Sequence, residues 1–71
     1  MKTYHVKYRI LGKEVEGIDV IANNKAEAYD YAVYELIPNE EGEYPYSAWV
    51  SSVTYNNGNY KLFNTFEGNP Y

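Results

Sequence analysis

The sequence predicts a single α+β domain in which two β-hairpins flank one helix, in the order β-β-α-β-β. Three observations carry this prediction: alternating polar and apolar residues near the N-terminus, an asparagine-capped amphipathic segment in the middle, and an Asn-Gly turn signal in the last third. An isolated hairpin buries too little apolar surface to be stable, so we expect one four-stranded antiparallel sheet with the helix packed on one face. At 71 residues the chain has room for one core, and 1–71 is expected to be one domain.

The first hairpin is predicted from alternation of residue type near the N-terminus. Over 3–10 every second side chain is apolar, which is typical of a strand that buries one face. A turn over 11–13 leads to a second strand over 14–22, whose apolar positions change parity at Gly17, and we expect a β-bulge there. The register predicted with this bulge pairs Val6 with Val20 and Lys7 with Asp19.

The helix is predicted over 25–37. An asparagine cap followed three residues later by Glu27 supplies acceptors for the free amides of the first turn. We expect the helix to end before Pro38, because the residue preceding a proline disfavours helical backbone, and residues 38–45 then form an acidic loop. The side facing the sheet is predicted to carry Ala26, Tyr29, Val33, Leu36 and Ile37, with Ala32 at its margin.

The second hairpin is predicted from Asn57-Gly58, a pair that favours a two-residue type I′ turn. Its first strand is expected over 46–55, and residues 67–71 are expected to be irregular; the strand order is left open. One face of the hairpin would pair Tyr55 with Tyr60, Val53 with Leu62, Ser51 with Asn64 and Trp49 with Phe66. The other face would pair Thr54 with Lys61, Ser52 with Phe63 and Val50 with Thr65.

The composition excludes several classes of function. The chain has no cysteine, one histidine and a formal net charge of -4 at pH 7, so disulfides and thiolate metal sites are excluded and a cytoplasmic location is expected. No stretch approaches the roughly 20 apolar residues that span a bilayer, and no membrane role is expected. His5 is expected to be an ordinary exposed imidazole, and no pattern indicates a nucleophile with its base, a cofactor or a metal. We therefore expect a protein that binds and is not an enzyme.

Two alternatives use the sheet. In the first, an open face binds nucleic acid through the basic residues of the first strand and two residues of the last: His5, Lys7, Arg9, Lys61 and Phe63. The interleaved carboxylates and the net negative charge argue against direct nucleic-acid binding. In the second, the chain is a self-associating structural protein, such as a homodimer, because an open sheet exposes edge strands and the chain is rich in aromatic residues.

The preferred hypothesis uses an acidic surface on the helix and the loop after it. Carboxylates steer an encounter with a basic surface, and tyrosine supplies contact area at a low cost in entropy. We therefore expect a protein partner with a basic surface, in which carboxylates take the place of phosphates in a nucleic-acid groove. The residues predicted to bind this partner are Glu27, Tyr31, Tyr34, Glu35, Glu40, Glu41, Glu43, Tyr44 and Tyr46.

In its length, acidity and lack of cysteine the chain resembles the small anti-defence proteins of bacteriophages, anti-CRISPR proteins among them. The resemblance lies in composition, and it implies an inhibitor that blocks a basic groove by mimicking nucleic acid. No residue role is transferred from it.

Overall fold

The computed structural model describes residues 1–63 and confirms the predicted α+β fold. The strands are β1 (Lys2–Arg9), β2 (Val15–Ala22), β3 (Ser47–Thr54) and β4 (Tyr60–Leu62). They pair antiparallel in the order β2-β1-β3-β4, and a single helix, α1 (25–41), packs on one side. We call the side that α1 covers the inner face and the other side the outer face. No helix in this part of the chain has the length and apolar character needed to cross a membrane.

The first hairpin has a continuous register, so the bulge predicted at Gly17 is wrong. Val6 lies opposite Ile18 and Lys7 opposite Gly17, which also corrects the predicted pairs. The physical reason is the position of Val15. It lies on the outer face of an edge strand and stays 39% exposed, so no bulge is needed to turn it toward the core.

A bulge does occur, between β1 and β3. Ser52 lies opposite His5 whereas Val50 lies opposite Val6, so Ser51 is the extra residue. Its hydroxyl donates to the carbonyl oxygen of His5 at 2.9 Å. Two apolar residues three apart, Val50 and Val53, thereby both reach the inner face, which a regular strand with its two-residue period does not allow.

Helix α1 continues past Pro38 to residue 41, so the predicted end at Ile37 and the predicted loop over 38–45 are wrong. The helix consists of α-helical Lys25–Tyr31, π-helical Ala32–Leu36 and α-helical Ile37–Glu41. Pro38 lies in the first turn of the last segment, where its missing N–H is not required. The predicted start is confirmed: Asn24 caps the helix, and its side chain accepts from the backbone N–H of Glu27 at 2.8 Å.

The π-helical turn sets which side of α1 is buried. Ala28, Ala32 and Ile37 are fully buried although their spacings are four and then five residues. The backbone N–H of Ile37 donates to the carbonyl of Ala32, five residues back, and this wider turn keeps all three on one side. Ala26, predicted to face the sheet, is exposed. The buried core contains Tyr4, Val6, Tyr8, Ile10, Val20, Ala22, Ala28, Ala32, Val33, Ile37, Ala48, Val50 and Val53.

The second hairpin turns over three residues, 56–58, and not over two. The N–H of Gly58 donates to the carbonyl of Tyr55 at 2.9 Å, and Gly58 has φ +91°, which is a type I turn followed by a left-handed glycine. The register is therefore one residue off the prediction, as shown by the pairs Thr54 with Tyr60, Val53 with Lys61 and Ser52 with Leu62.

Because of this shift, the residues of β4 lie on the opposite faces of the sheet from those predicted. Tyr60 and Leu62 lie on the outer face, and Lys61 lies on the inner side. Trp49 lies opposite Lys7 on the outer face, and not with Val53 as predicted. The predicted partners Asn64, Thr65 and Phe66 and the irregular segment over 67–71 lie outside the described residues.

Candidate functional site: an acidic surface rich in tyrosine

Two rows of exposed side chains follow α1 on the side away from the sheet. Within each row the residues are four apart, which places successive members on one side of a helix. Both rows combine carboxylates with tyrosine, and the side chains turned toward the sheet are mainly small and apolar. The rows are Ala26, Asp30 and Tyr34, and Glu27, Tyr31 and Glu35.

The loop after α1 adds a second aromatic residue beside Tyr34. Gly42 ends the helix with φ +82°, a left-handed conformation, and its N–H donates to the carbonyl of Pro38 at 2.9 Å. The chain reverses there and brings Tyr44 back to Tyr34, with ring centroids 6.3 Å apart in an edge arrangement at 62°. Both rings stay more than half exposed, and this contact fixes their relative orientation.

Four more of the predicted residues are exposed. Glu40 and Glu43 are exposed, and so are Tyr31 and Tyr46. The backbone N–H of Tyr46 donates to the carbonyl of Arg9 at 2.7 Å, which fixes the start of β3 against β1. We call the following set the acidic tyrosine surface: Glu27, Asp30, Tyr31, Tyr34, Glu35, Glu40, Glu43, Tyr44 and Tyr46.

Glu41 was predicted with this set but points elsewhere. Its side chain is only 10% exposed. Glu41 Oε2 accepts a hydrogen bond from the Tyr8 hydroxyl at 2.8 Å, and Oε1 accepts one from Lys13 Nζ at 3.3 Å. The bond from Tyr8, supported by Lys13, lowers the pKa of Glu41 although burial opposes this shift. Glu41 therefore ties the last turn of α1 to the sheet.

The charges of the chain are segregated. Between Lys25 and Lys61 there is no lysine, arginine or histidine, whereas all the carboxylates of the acidic tyrosine surface fall in this stretch. Lys13 is bonded to Glu41, and Lys25 Nζ lies 4.2 Å from the ring centre of Phe63. The stretch that carries the surface therefore contributes only negative charge to it.

The outer face of the sheet carries a chain of hydrogen bonds centred on His5. Its Nδ1 donates to Asp19 Oδ1 at 2.5 Å, and its Nε2 lies 2.9 Å from Thr54 Oγ1. A carboxylate, an imidazole and a hydroxyl in this order also occur in activated nucleophiles. Such a site additionally needs a cavity that excludes water, and here the Asp19 side chain is 68% exposed. The arrangement links β2, β1 and β3 and places His5 among partners, which sequence reasoning did not anticipate.

The basic platform considered as an alternative on the open sheet face is not assembled. Lys61 lies on the inner side, and its Nζ is 6.0 Å from the ring centre of Phe63, which packs against the core. Lys7 and Arg9 are on the outer face, so the five residues proposed for nucleic acid are divided between two sides of the sheet. Within residues 1–63 no group of three or more potential ligands is placed to hold a metal ion.

Sequence reasoning missed two features of these surfaces. Asp30 is not in the predicted set, although it lies in the same row as Tyr34; its i, i+4 spacing is the signal that identifies it. The contact of His5 with Thr54 joins residues 49 positions apart, and its prediction requires the strand order.

Comparison with known proteins gives no match: no family model, no curated protein and no solved structure corresponds to this chain. The inference of function therefore rests on the residues themselves.

Proposed function

We propose that the chain is a binding protein, not an enzyme, and that its acidic tyrosine surface docks on a basic surface of a protein partner. The observation that supports this is the exposure of four tyrosines, each at 50% or more, beside carboxylates and in a stretch without any basic residue. Exposed carboxylates alone serve solubility. A cluster of large amphipathic rings among them adds nothing to solubility and provides contact area for a partner.

The two residue types have separate roles in such docking. The carboxylates accelerate the encounter with a positive surface and reject acidic ones. The tyrosines supply buried area, and the edge contact between Tyr34 and Tyr44 holds two of them in place, which reduces the entropy lost on binding. The complex should therefore weaken as salt rises.

The finer proposal is that the basic surface is a nucleic-acid groove and that the chain inhibits its owner, as the resemblance to phage anti-defence proteins implies. Grooves that hold nucleic acid are lined with lysine and arginine and bind phosphates through charge. An acidic surface that enters such a groove excludes the nucleic acid. Binding of the chain and of nucleic acid to the partner should then be mutually exclusive.

The experiment starts from the proteins of the source cell that bind heparin, a fraction enriched in basic nucleic-acid-binding proteins. This fraction is passed over the immobilised chain, and each retained protein is purified and titrated with the free chain at several salt concentrations. We expect an affinity that falls as salt rises, and release of the partner by a short DNA or RNA duplex. An affinity that does not depend on salt would exclude electrostatic docking, and binding unaffected by the duplex would exclude the mimicry.

Two matched variants test whether the acidic tyrosine surface is the surface that binds the partner. Glu35→Gln with Glu43→Gln removes two charges from the acidic tyrosine surface, and Glu14→Gln with Glu16→Gln removes two exposed charges from the first hairpin. Both change the net charge from -4 to -2 (-4 + 2). Only the first is expected to weaken binding, by about tenfold or more for loss of roughly 1.4 kcal/mol. Equal weakening by both variants would mean that net charge, and not this surface, is recognised.

A further inference from the structure

The strand β2 forms an edge of the sheet, and within residues 1–63 it pairs only with β1. Among the described residues, the backbone amides and carbonyls on its other side along Val15–Ala22 have no strand partner. Natural edges are usually protected by proline, charged side chains, a bulge or short length. This strand spans eight residues, has no proline or lysine and keeps a continuous register, and its charged residues are Glu16 and Asp19. It also exposes Ile21 (68%) and Val15 (39%) on the outer face.

The sequence of β2 is suited to pairing with itself. In an antiparallel pair related by a two-fold axis perpendicular to the sheet, the residue on the axis faces its own copy. An axis at Glu16 or at Asp19 would place identical carboxylates opposite each other. An axis at Gly17 would place the apolar Ile21 opposite Lys13. An axis at Ile18 avoids both conflicts.

With the axis at Ile18, no two carboxylates lie directly opposite each other. On the outer face Val15 lies opposite Ile21 of the second copy, which brings the two exposed apolar side chains together. Glu16 lies opposite Val20, and Asp19 lies opposite Gly17, which has no side chain to conflict with it. The nearest carboxylates across the seam are the two Asp19 side chains on the diagonal, and each is already bonded to its own His5.

We infer that β2 is the interface of a homodimer in which Ile18 of one copy faces Ile18 of the other and two four-stranded sheets join into one. The inference rests on β2 alone and does not depend on the proposed function. A single strand seam is smaller than a standard interface of about 1,600 Å². The dimer should therefore dissociate on dilution, with a dissociation constant on the order of micromolar or weaker.

The test measures the mass of the full chain by sedimentation equilibrium over low to high micromolar concentration. Two double variants test whether residue 15 of one copy faces residue 21 of the other. Val15→Lys with Ile21→Glu places opposite charges face to face across the interface. Val15→Lys with Ile21→Lys places like charges there. Within one chain the two positions are six residues apart, roughly 20 Å along the strand, so the new charges meet only between copies. We expect dimers for the wild type and the Lys/Glu variant and a monomer for the Lys/Lys variant.

The design controls for folding and for net charge. Both variants share Val15→Lys, both changed positions are exposed, and circular dichroism checks that each variant folds. The Lys/Lys variant reduces the magnitude of the net negative charge, from -4 to -2 (-4 + 2), so its failure to dimerise would not come from overall repulsion. As a further control, Leu62→Lys changes an exposed apolar residue on β4 and should leave the dimer intact.

Three results would overturn the inference: a wild-type monomer at the highest concentration, equal dimerisation of the two charge variants, or loss of the dimer in Leu62→Lys. The effect of added salt distinguishes this dimerisation from docking on a basic partner. Added salt screens the repulsion between two copies of charge -4 and strengthens the dimer, whereas it weakens the proposed docking.

Discussion

The hydroxyl of Tyr8 donates to Glu41 Oε2 at 2.8 Å and so joins the end of β1 to the last turn of α1. Tyr8 is 2% exposed, and Lys13, in the turn between β1 and β2, donates to the same carboxylate. Three elements thus meet at one side chain. The turn of helix after Pro38 carries Glu41 to these partners, and their bonds stabilise it.

The first prediction concerns acid. The pKa of Glu41 is lowered below its ordinary value of 4.5 in the folded chain, mainly by the bond from Tyr8. A lowered pKa stabilises the fold above about pH 4.5, and this stability is lost as the pH falls through the folded-state pKa. Glu41→Gln should therefore be less stable than wild type at neutral pH, and the difference should vanish at acid pH. Urea unfolding at a series of pH values measures it.

Glu40→Gln is the control for this prediction, because Glu40 is an exposed neighbour that bonds neither Tyr8 nor Lys13. Its free energy of unfolding should stay close to wild type at every pH. If Glu41→Gln showed the same flat profile, the contact with Tyr8 would contribute nothing to stability.

The second prediction concerns alkali. Burial, and then the bond to Glu41, raise the pKa of Tyr8 well above its ordinary value of 10.0. The unfolded chain then releases this proton first, so stability is full below about pH 10 and falls as the pH rises further, by about 1.4 kcal/mol per pH unit for one proton. Tyr8→Phe should remove the contribution of Tyr8 to this loss of stability with rising pH, which urea unfolding at a series of alkaline pH values measures. Tyr29, whose pKa is also raised by burial, supplies a second, independent contribution that Tyr29→Phe removes.

The elements of this fold were predictable where local chemistry decides them. Alternation defined β1, and Asn24 with Glu27 marked the start of the helix. The registers were not predictable in the same way, because they depend on contacts between distant strands. The bulge at Ser51 becomes evident only once β3 lies beside β1 and both Val50 and Val53 must face the helix.

The exposure of Glu27, Tyr31, Tyr34 and Glu35 on α1 follows from the helix start and helical periodicity. Asp30 was left out of the predicted set, and the place of Glu41 was not predicted. Its position follows from helical backbone beyond a proline, and its contact with Tyr8 spans 33 residues. The helical continuation depends on a π turn, for which the sequence has no simple signal other than the five-residue spacing from Ala32 to Ile37.

The third prediction tests which side of α1 faces the sheet. Ala28 is fully buried against the sheet, and Ala26, two residues earlier, is exposed. Ala28→Leu forces additional methyl groups into a packed core and should cost about 1–3 kcal/mol. Ala26→Leu should change stability by no more than about 0.5 kcal/mol. Thermal and urea unfolding compare the two variants, and the opposite order would mean that the helix presents the side predicted from a regular 100° period.

The fourth prediction concerns the link between strands through His5. Thr54→Val keeps a β-branched side chain but removes the hydroxyl that lies 2.9 Å from His5 Nε2. The loss of this hydrogen bond should lower the free energy of unfolding by about 0.5–1.5 kcal/mol. Thr3→Val is the matched control, because Thr3 lies opposite Thr54 on the same face and takes no part in the His5 bonds. It should leave stability nearly unchanged, since valine suits a strand as well as threonine does.

In the double variant His5→Gln with Thr54→Val, the cost of the second change should be smaller than its cost alone, because the bond is already broken. Additive costs would show that His5 and Thr54 contribute independently and that the hydrogen bond between them does not stabilise the sheet.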